Sequence, residues 1–252
     1  MELTWQMYAL VCPLVLLAGF VDSVAGGGGL ISLPAYYLAG LPPVMAAGTN
    51  KLSACLGTMV SSGRYLKGGK MRLRVAVPAA VAALPGSWLG TNVLKLIPEK
   101  NIRIMMLVAI PLVAAVVLGR KDMRRLVTLP ERAELPASLL IGLMIGFYDG
   151  LVGPGTGTFL ILMFTLILGM DPVQASASAK LVNLASNIAS LTNLLLAGRV
   201  VLALGLPAAA CGIVGNYLGA GMTMKRGTGF IRRMMLIVLI LLLAKMLVDV
   251  VQ

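Results

Sequence analysis

Hydrophobic residues in this chain come in long, nearly unbroken runs, and polar residues gather in short breaks between them. Breaks at the glycine clusters 26–29 and 153–157, at Pro42-Pro43, at Asp171-Pro172 and at basic loops divide the chain into ten helical elements. These are 5–24, 29–40, 43–65, 73–94 and 101–119, then 136–151, 157–170, 172–197, 201–223 and 230–250. The runs are rich in Leu, Ala and Met and lack the ten-residue alternation of a barrel strand, so they read as helices. The second element of each set is short. At 1.5 Å per residue, 29–40 reaches only about 18 Å, against about 30 Å of hydrocarbon. An end inside the bilayer strands its backbone N–H groups unless it is buried in protein or faces a water-filled cavity. Elements one and two of each set are therefore expected to form a broken or re-entrant hairpin with a glycine-rich tip inside the protein.

The two sets are copies of one another. Gly19-Phe20-Val21-Asp22 returns as Gly146-Phe147-Tyr148-Asp149, and each copy runs into its glycine loop. Beyond the loop, Lys51-Leu52 matches Lys180-Leu181 and Pro78-Ala79-Ala80 matches Pro207-Ala208-Ala209. Gly86-x-x-Leu89-Gly90 then matches Gly215-x-x-Leu218-Gly219, and the same spacing carries Arg103 onto Arg232. Two fused copies in a hydrophobic chain suggest a transporter, because copies in opposite orientations can build one site and open it to either side. Residues 1–120 are expected to form the first membrane repeat, 121–135 a cytoplasmic linker, and 136–252 the second repeat.

Composition sets the class. The chain is 59% hydrophobic and 12% charged, where a soluble domain carries about 25% charged residues. The expected fold is an all-α polytopic membrane protein of two inverted repeats, each of about five helical elements. The net charge of +12 reads as topology. Basic residues gather in 64–74, 120–134 and 225–233, punctuating apolar segments as the positive-inside rule predicts, rather than forming one nucleic-acid-binding face. Placing all three in the cytoplasm requires an odd number of crossings per copy, which inverts the second copy and puts both termini outside the cytoplasmic membrane. Residues 95–103, with three basic residues and one acid, lie outside on this reading, a mild violation. Met1-Glu2-Leu3-Thr4 has no basic n-region, so no cleavable signal is expected. Cys12, Cys55 and Cys211 stand singly and the chain has no His, so a disulfide frame, a zinc site and a haem site lack their ligands. No metal or cofactor is expected.

The intramembrane polar residues carry the functional reading. Asp22 and Asp149 sit at equivalent places just before the glycine loops, and Lys51 and Lys180 near the starts of equivalent long helices. An ionised side chain facing lipid costs at least about 2.5–3.5 kcal/mol, so all four should face the interior. In one reading Asp22 pairs with Lys51 and Asp149 with Lys180, as neutral clasps within each copy. In the other, the lysines take an anionic substrate and the aspartates carry protons or orient the loops. Polar neighbours favour the second: Thr49, Asn50 and Lys51 in one copy, Ser176, Ser178, Lys180, Asn183 and Asn187 in the other. Lys180, Asn183 and Asn187 share one helix face.

Gly27, Gly28 and Gly29, and Gly155, Thr156, Gly157 and Thr158, each open a short helix. Glycines there can simply allow close packing. Their bare amides and the helix dipole also form a ready anion cradle. No strand precedes these loops and no GK[ST] follows, which excludes a P-loop. Gly86-x-x-x-Gly90 and Gly215-x-x-x-Gly219 read as helix-packing seams.

These stretches resemble a known family. GFVDSVAGGGGLISLP at 19–34, GTNKL at 48–52, GFYDGLVGPGTGTF at 146–159 and AKLVNLASN at 179–187 are similar to the TauE/SafE sulfite exporter family, close to its YfcA-like branch. The resemblance covers nearly the whole chain. It implies movement of sulfite, sulfoacetate or related organosulfur anions by a secondary transporter of the inner membrane, with proton coupling through Asp22 and Asp149 left open. The expected partners are a small anion and the lipid bilayer, with no nucleic acid; a homodimer stays open. A passive anion channel is the alternative. An intramembrane aspartyl protease is the enzyme reading, but Tyr148-Asp149 supplies only half of its signature and the GxGD half is missing. The chain is not expected to be an enzyme.

Overall fold

The computed structural model describes residues 3–98, 101, 130–231, 233, 234 and 237. Its main helices are α1 Trp5–Ala25, α2 Gly29–Leu38, α3 Pro43–Lys67, α4 Leu73–Leu96, α5 Glu131–Leu151, α6 Thr156–Leu166, α7 Pro172–Leu196 and α8 Leu202–Arg226. No strand occurs among the described residues. The expected fifth elements, 101–119 and 230–250, lie almost wholly outside the described residues, as do Arg103, Arg232 and most of the 121–135 linker.

Local chemistry explains the breaks. α1 stops at Gly26, whose left-handed backbone (φ 77°) returns its N–H to Asp22 O. Gly155, with φ 80°, turns the chain into α6. α3 and α7 each begin with proline, where no N–H is needed, and the Asp171 carboxylate caps α7 by accepting from Val173 N at 2.9 Å. Boundaries differ from expectation at several ends: α6 stops at Leu166 rather than 170, and the largest shift is at α5. α5 starts at Glu131 rather than 136, so the end of the expected linker is helical. Pro130 presets the entry, and Glu134 in the first turn favours a helix N-terminus and pairs with Arg72 at 2.7 Å.

α1, α4, α5 and α8 are long and apolar enough to cross a membrane. They expose Leu17, Leu84, Leu140 and Leu206 on their outer faces. α3 and α7 are 25 residues each, about 37 Å long, but more polar. Their Thr49, Asn50, Lys51, Ser176, Lys180 and Asn183 are all buried, which marks them as the central pair.

The copies interlock by exchange. α1 packs along α8 and α4 along α5, so each copy's first helix lies on the other's fourth. α3 and α7 touch each other, and each also packs on the fourth helix of the opposite copy. Small residues make this possible. A Cβ at Gly86 or Gly90 would strike the backbone oxygens of Leu143 or Phe147, and one at Gly215 or Gly219 those of Leu16 or Phe20. These are the packing seams read in the sequence. Hydroxyls and amides stitch α4 to α7: Ser87 Oγ donates to Ser186 O at 2.7 Å, Thr91 Oγ1 meets Ser190 Oγ at 2.7 Å, and Asn193 Nδ2 donates to Asn92 Oδ1 at 2.9 Å.

Basic residues collect at one end of this bundle. The end of α3 abuts the end of α8: Arg64 donates to the Tyr217 carbonyl and stacks on its ring at 3.8 Å, while Tyr65 packs with Ala220 and Met224. Arg72 N donates to Ser178 Oγ near the start of α7 at 3.1 Å. Arg64, Lys67, Lys70, Arg72, Arg74, Lys225 and Arg226 therefore lie at or beside one end. The start of α1 lies at the other, where Tyr8 Oη donates to Ala203 O at 3.3 Å.

Candidate functional site

The two glycine tips meet backbone to backbone at the centre of the molecule. Gly26 and Gly157 are so close that neither could carry a Cβ without striking the other. Thr158 Oγ1 locks the crossing by donating to Ala25 O at 2.8 Å. α2 and α6 both start here, so the positive ends of two helix dipoles converge. The N–H groups of Gly27 and Gly28, and of Gly155, Gly157 and Thr158, make no hydrogen bond to the described residues.

Around the tips stand two ion pairs, and both cross between copies. Lys51 Nζ lies 2.6 Å from Asp149 Oδ2, and Lys180 Nζ lies 2.9 Å from Asp22 Oδ2. The within-copy clasps, Asp22 with Lys51 and Asp149 with Lys180, are thereby corrected. The exchange of α1 and α5 between copies carries each aspartate away from its own lysine. Lys51 also donates to Asn187 Oδ1 at 3.0 Å, and Asp149 Oδ1 accepts from Thr156 Oγ1 at 2.8 Å.

A cavity opens between the pairs, with about 50 Å³ accessible to the centre of a water-sized sphere. One water needs about 10–15 Å³ on this measure, so an anion of a few heavy atoms fits. Gly28, Gly29, Asn50, Lys51, Thr156, Gly157, Asn183 and Asn187 line it, as do Asp22 and Asp149. The Oδ1 atoms of Asn183 and Asn216, both lining residues and nearly fully buried, have no hydrogen-bond partner. Both atoms are acceptors closed off from the cavity space, and Asn216 Nδ2 already donates to Gly212 O at 3.0 Å, so these oxygens offer nothing to an anion.

Other expected site residues stand back from the wall. Thr49 Oγ1 donates to Met45 O at 2.7 Å and accepts from Val201 N at 3.0 Å, anchoring the α7–α8 turn. Gly27 and Gly155 flank the cavity without lining it, Thr158 locks the tip crossing, and Lys180 is fully buried beside Asp22 without bordering the cavity. Sequence reasoning missed Ser32, Ser53 and Asn216 as lining residues. Ser53 follows Asn50 by three positions on one helix face, and Asn216 is a lone amide in an apolar spanning helix; both were signals.

These features define a polytopic helical membrane protein with a polar, ion-paired cavity enclosed by two interlocked copies. The chain belongs to the TauE/SafE sulfite exporter family, whose model, described as "Sulfite exporter TauE/SafE", matches residues 11–246. It is similar to a probable membrane transporter protein of Haemophilus influenzae, 35% identical over 99% of this chain and 98% of that one. It is 32% identical to the probable membrane transporter protein ORF9 of a Sinorhizobium species, over 98% of this chain and 95% of the relative. The probable membrane transporter protein YfcA of Escherichia coli is likewise 32% identical, over 98% and 94%. No solved structure matches.

Proposed function

We propose that this protein is a secondary transporter of small anions in the cytoplasmic membrane, working by alternating access between two oppositely oriented copies. The substrate class is sulfite, sulfoacetate or a related organosulfur anion, in keeping with the family's description. One observation carries the reading. The Lys51 ammonium, Gly28 and Gly157 with their free N–H groups at the starts of α2 and α6, and the Asn183 side chain border one anion-sized cavity. The gathering of basic residues at one end of the bundle supports placing that end in the cytoplasm and the N-terminus outside.

Asp22 and Asp149 border the same cavity, as an aspartyl protease dyad would require. Such a dyad shares one proton between adjacent carboxylates. Here each carboxylate has its own lysine instead, which favours transport over proteolysis.

Reconstitution tests the proposal. Purified protein in proteoliposomes should accumulate labelled sulfite or sulfoacetate above equilibrium when a proton gradient is imposed. Purely downhill, non-saturating flux would identify a passive channel, and no flux of either anion would remove this substrate class.

A further inference from the structure

The four charges of the site cancel. Lys51 and Lys180 are matched by Asp149 and Asp22, so an anion entering the cavity brings a negative charge that nothing there balances. The two pairs are not equivalent, despite the repeat. The Lys180 side chain is 0% exposed and does not border the cavity, and its partner Asp22 is 18% exposed and does. Lys51 and Asp149 both border it. Of the three N–H donors of the Lys51 ammonium, one goes to Asp149 and one to Asn187, which leaves one for a ligand.

We infer that Lys51 changes partners during the cycle: the anion takes Lys51 from Asp149, Asp149 takes up one proton, and the Lys180–Asp22 pair stays closed. This rests on the transport reading above and adds its coupling step. No covalent bond of the substrate changes. A proton from solution forms an O–H bond on the Asp149 carboxylate, and Lys51 keeps its charge. The driving physics is that a buried carboxylate without its counter-ion is less stable ionised than neutral. Among the described residues, little else around Asp149 could compensate. On its own helix Tyr148 is neutral and donates to Pro154 O at 2.6 Å, and Thr156 of α6 is neutral. α4 presents the uncharged Ser87 and Thr91, α7 presents Asn187, and Lys180 is held by Asp22 of α1. The same proton offsets one unit of the negative charge that the anion adds, so binding and protonation favour one another.

Infrared spectroscopy of the purified protein in nanodiscs tests the exchange without substrate. At neutral pH, Lys51→Met should show the C=O stretch of a protonated carboxyl that wild type and Lys51→Met/Asp149→Asn both lack. Lys51→Gln, which keeps a hydrogen-bonding side chain, serves if the Met variant does not fold. Absence of the band in the folded variant overturns the inference, and so does its presence in wild type. Calorimetry with sulfoacetate, in two buffers of different ionisation enthalpy, supplies the second arm. Sulfoacetate is chosen because, unlike sulfite, it does not itself titrate near neutrality. Wild type should take up one proton per bound anion and Asp149→Asn none. Binding without proton uptake overturns the exchange and leaves the transport reading standing. No binding at all refutes that substrate, and the infrared result still decides the exchange.

Discussion

Lys51 and Asp149 lie 98 residues apart in sequence and 2.6 Å apart in space, and the pair joins one repeat to the other. Lys180 and Asp22 close the same kind of bridge in the opposite sense at 2.9 Å. The two repeats are thus tied through their most expensive buried groups. Neither half can complete its own charge pairing, so a half that moves on its own must break an ion pair.

This crossing is testable by paired substitution. Removing one partner of a buried ion pair costs about 3–5 kcal/mol, because it leaves the other charge uncompensated. Lys51→Met should lower the thermal unfolding midpoint at neutral pH, and adding Asp149→Asn should restore most of the loss. Adding Asp22→Asn should not, and should lower stability further by orphaning Lys180. Rescue by Asp22→Asn in place of Asp149→Asn would put the pairs back within each copy.

The helices were largely legible in the sequence because their breaks have local causes. Gly26, Gly155, Pro43 and Pro172 each act on the backbone where they stand. The short second helices followed from length alone. Pairing was not legible, since periodicity gives the polar face of α3 or α7 but not the helix that meets it. Asp22 and Lys51 belong to the same copy, yet α1 packs along α8 and Asp22 meets Lys180 instead. Thr49 and Thr158 show the related limit. Their hydroxyls are satisfied by the carbonyls of Met45 and Ala25, so a polar position near the site need not face it.

Gly157→Ala should prevent stable folding, since its methyl would lie 2.5 Å from the Gly26 Cα at the tip crossing. Gly63→Ala is the control. Nothing lies within 4 Å of a Cβ there, and Gly63 sits inside α3, so alanine should stabilise by about 0.5–1 kcal/mol. Yield of monodisperse protein in size-exclusion chromatography separates the two. Normal yield of Gly157→Ala would mean that the tips do not touch.

Gly29 probes the cavity without breaking the fold. A Cβ at Gly28 would collide with Ala18 O at 2.6 Å, so that position serves packing as well as lining. At Gly29 the nearest atom is Pro154 Cα at 3.5 Å, an ordinary contact, and the residue still borders the cavity. Gly29→Ala should express normally and raise the KM for anion uptake. Unchanged uptake kinetics would move the substrate away from the start of α2.

Asn183→Ala separates binding from stability in another way. Its Oδ1 is buried and unpaired, so deleting the amide should change stability by no more than about 1 kcal/mol, the loss of packing offsetting relief of the unmet polar atom. If the amide meets the anion, affinity should fall at least about tenfold, equivalent to about 1.4 kcal/mol. Titration calorimetry on the folded variant measures it, and unaltered affinity would exclude Asn183 from the site.

Orientation follows from which end of the bundle is basic. Lys70 lies in the turn between α3 and α4 at that end, and Thr4 precedes α1 at the other; both side chains are exposed. In a background with Cys12, Cys55 and Cys211 replaced by alanine, Thr4→Cys should react with a membrane-impermeant maleimide added to intact cells. Lys70→Cys should react only after the membrane is opened, because a basic loop is held on the cytoplasmic side. The reverse pattern would invert the proposed topology. Labelling of both sites from outside would break the tie between the basic end and the cytoplasm, and with it the argument that both termini face outward.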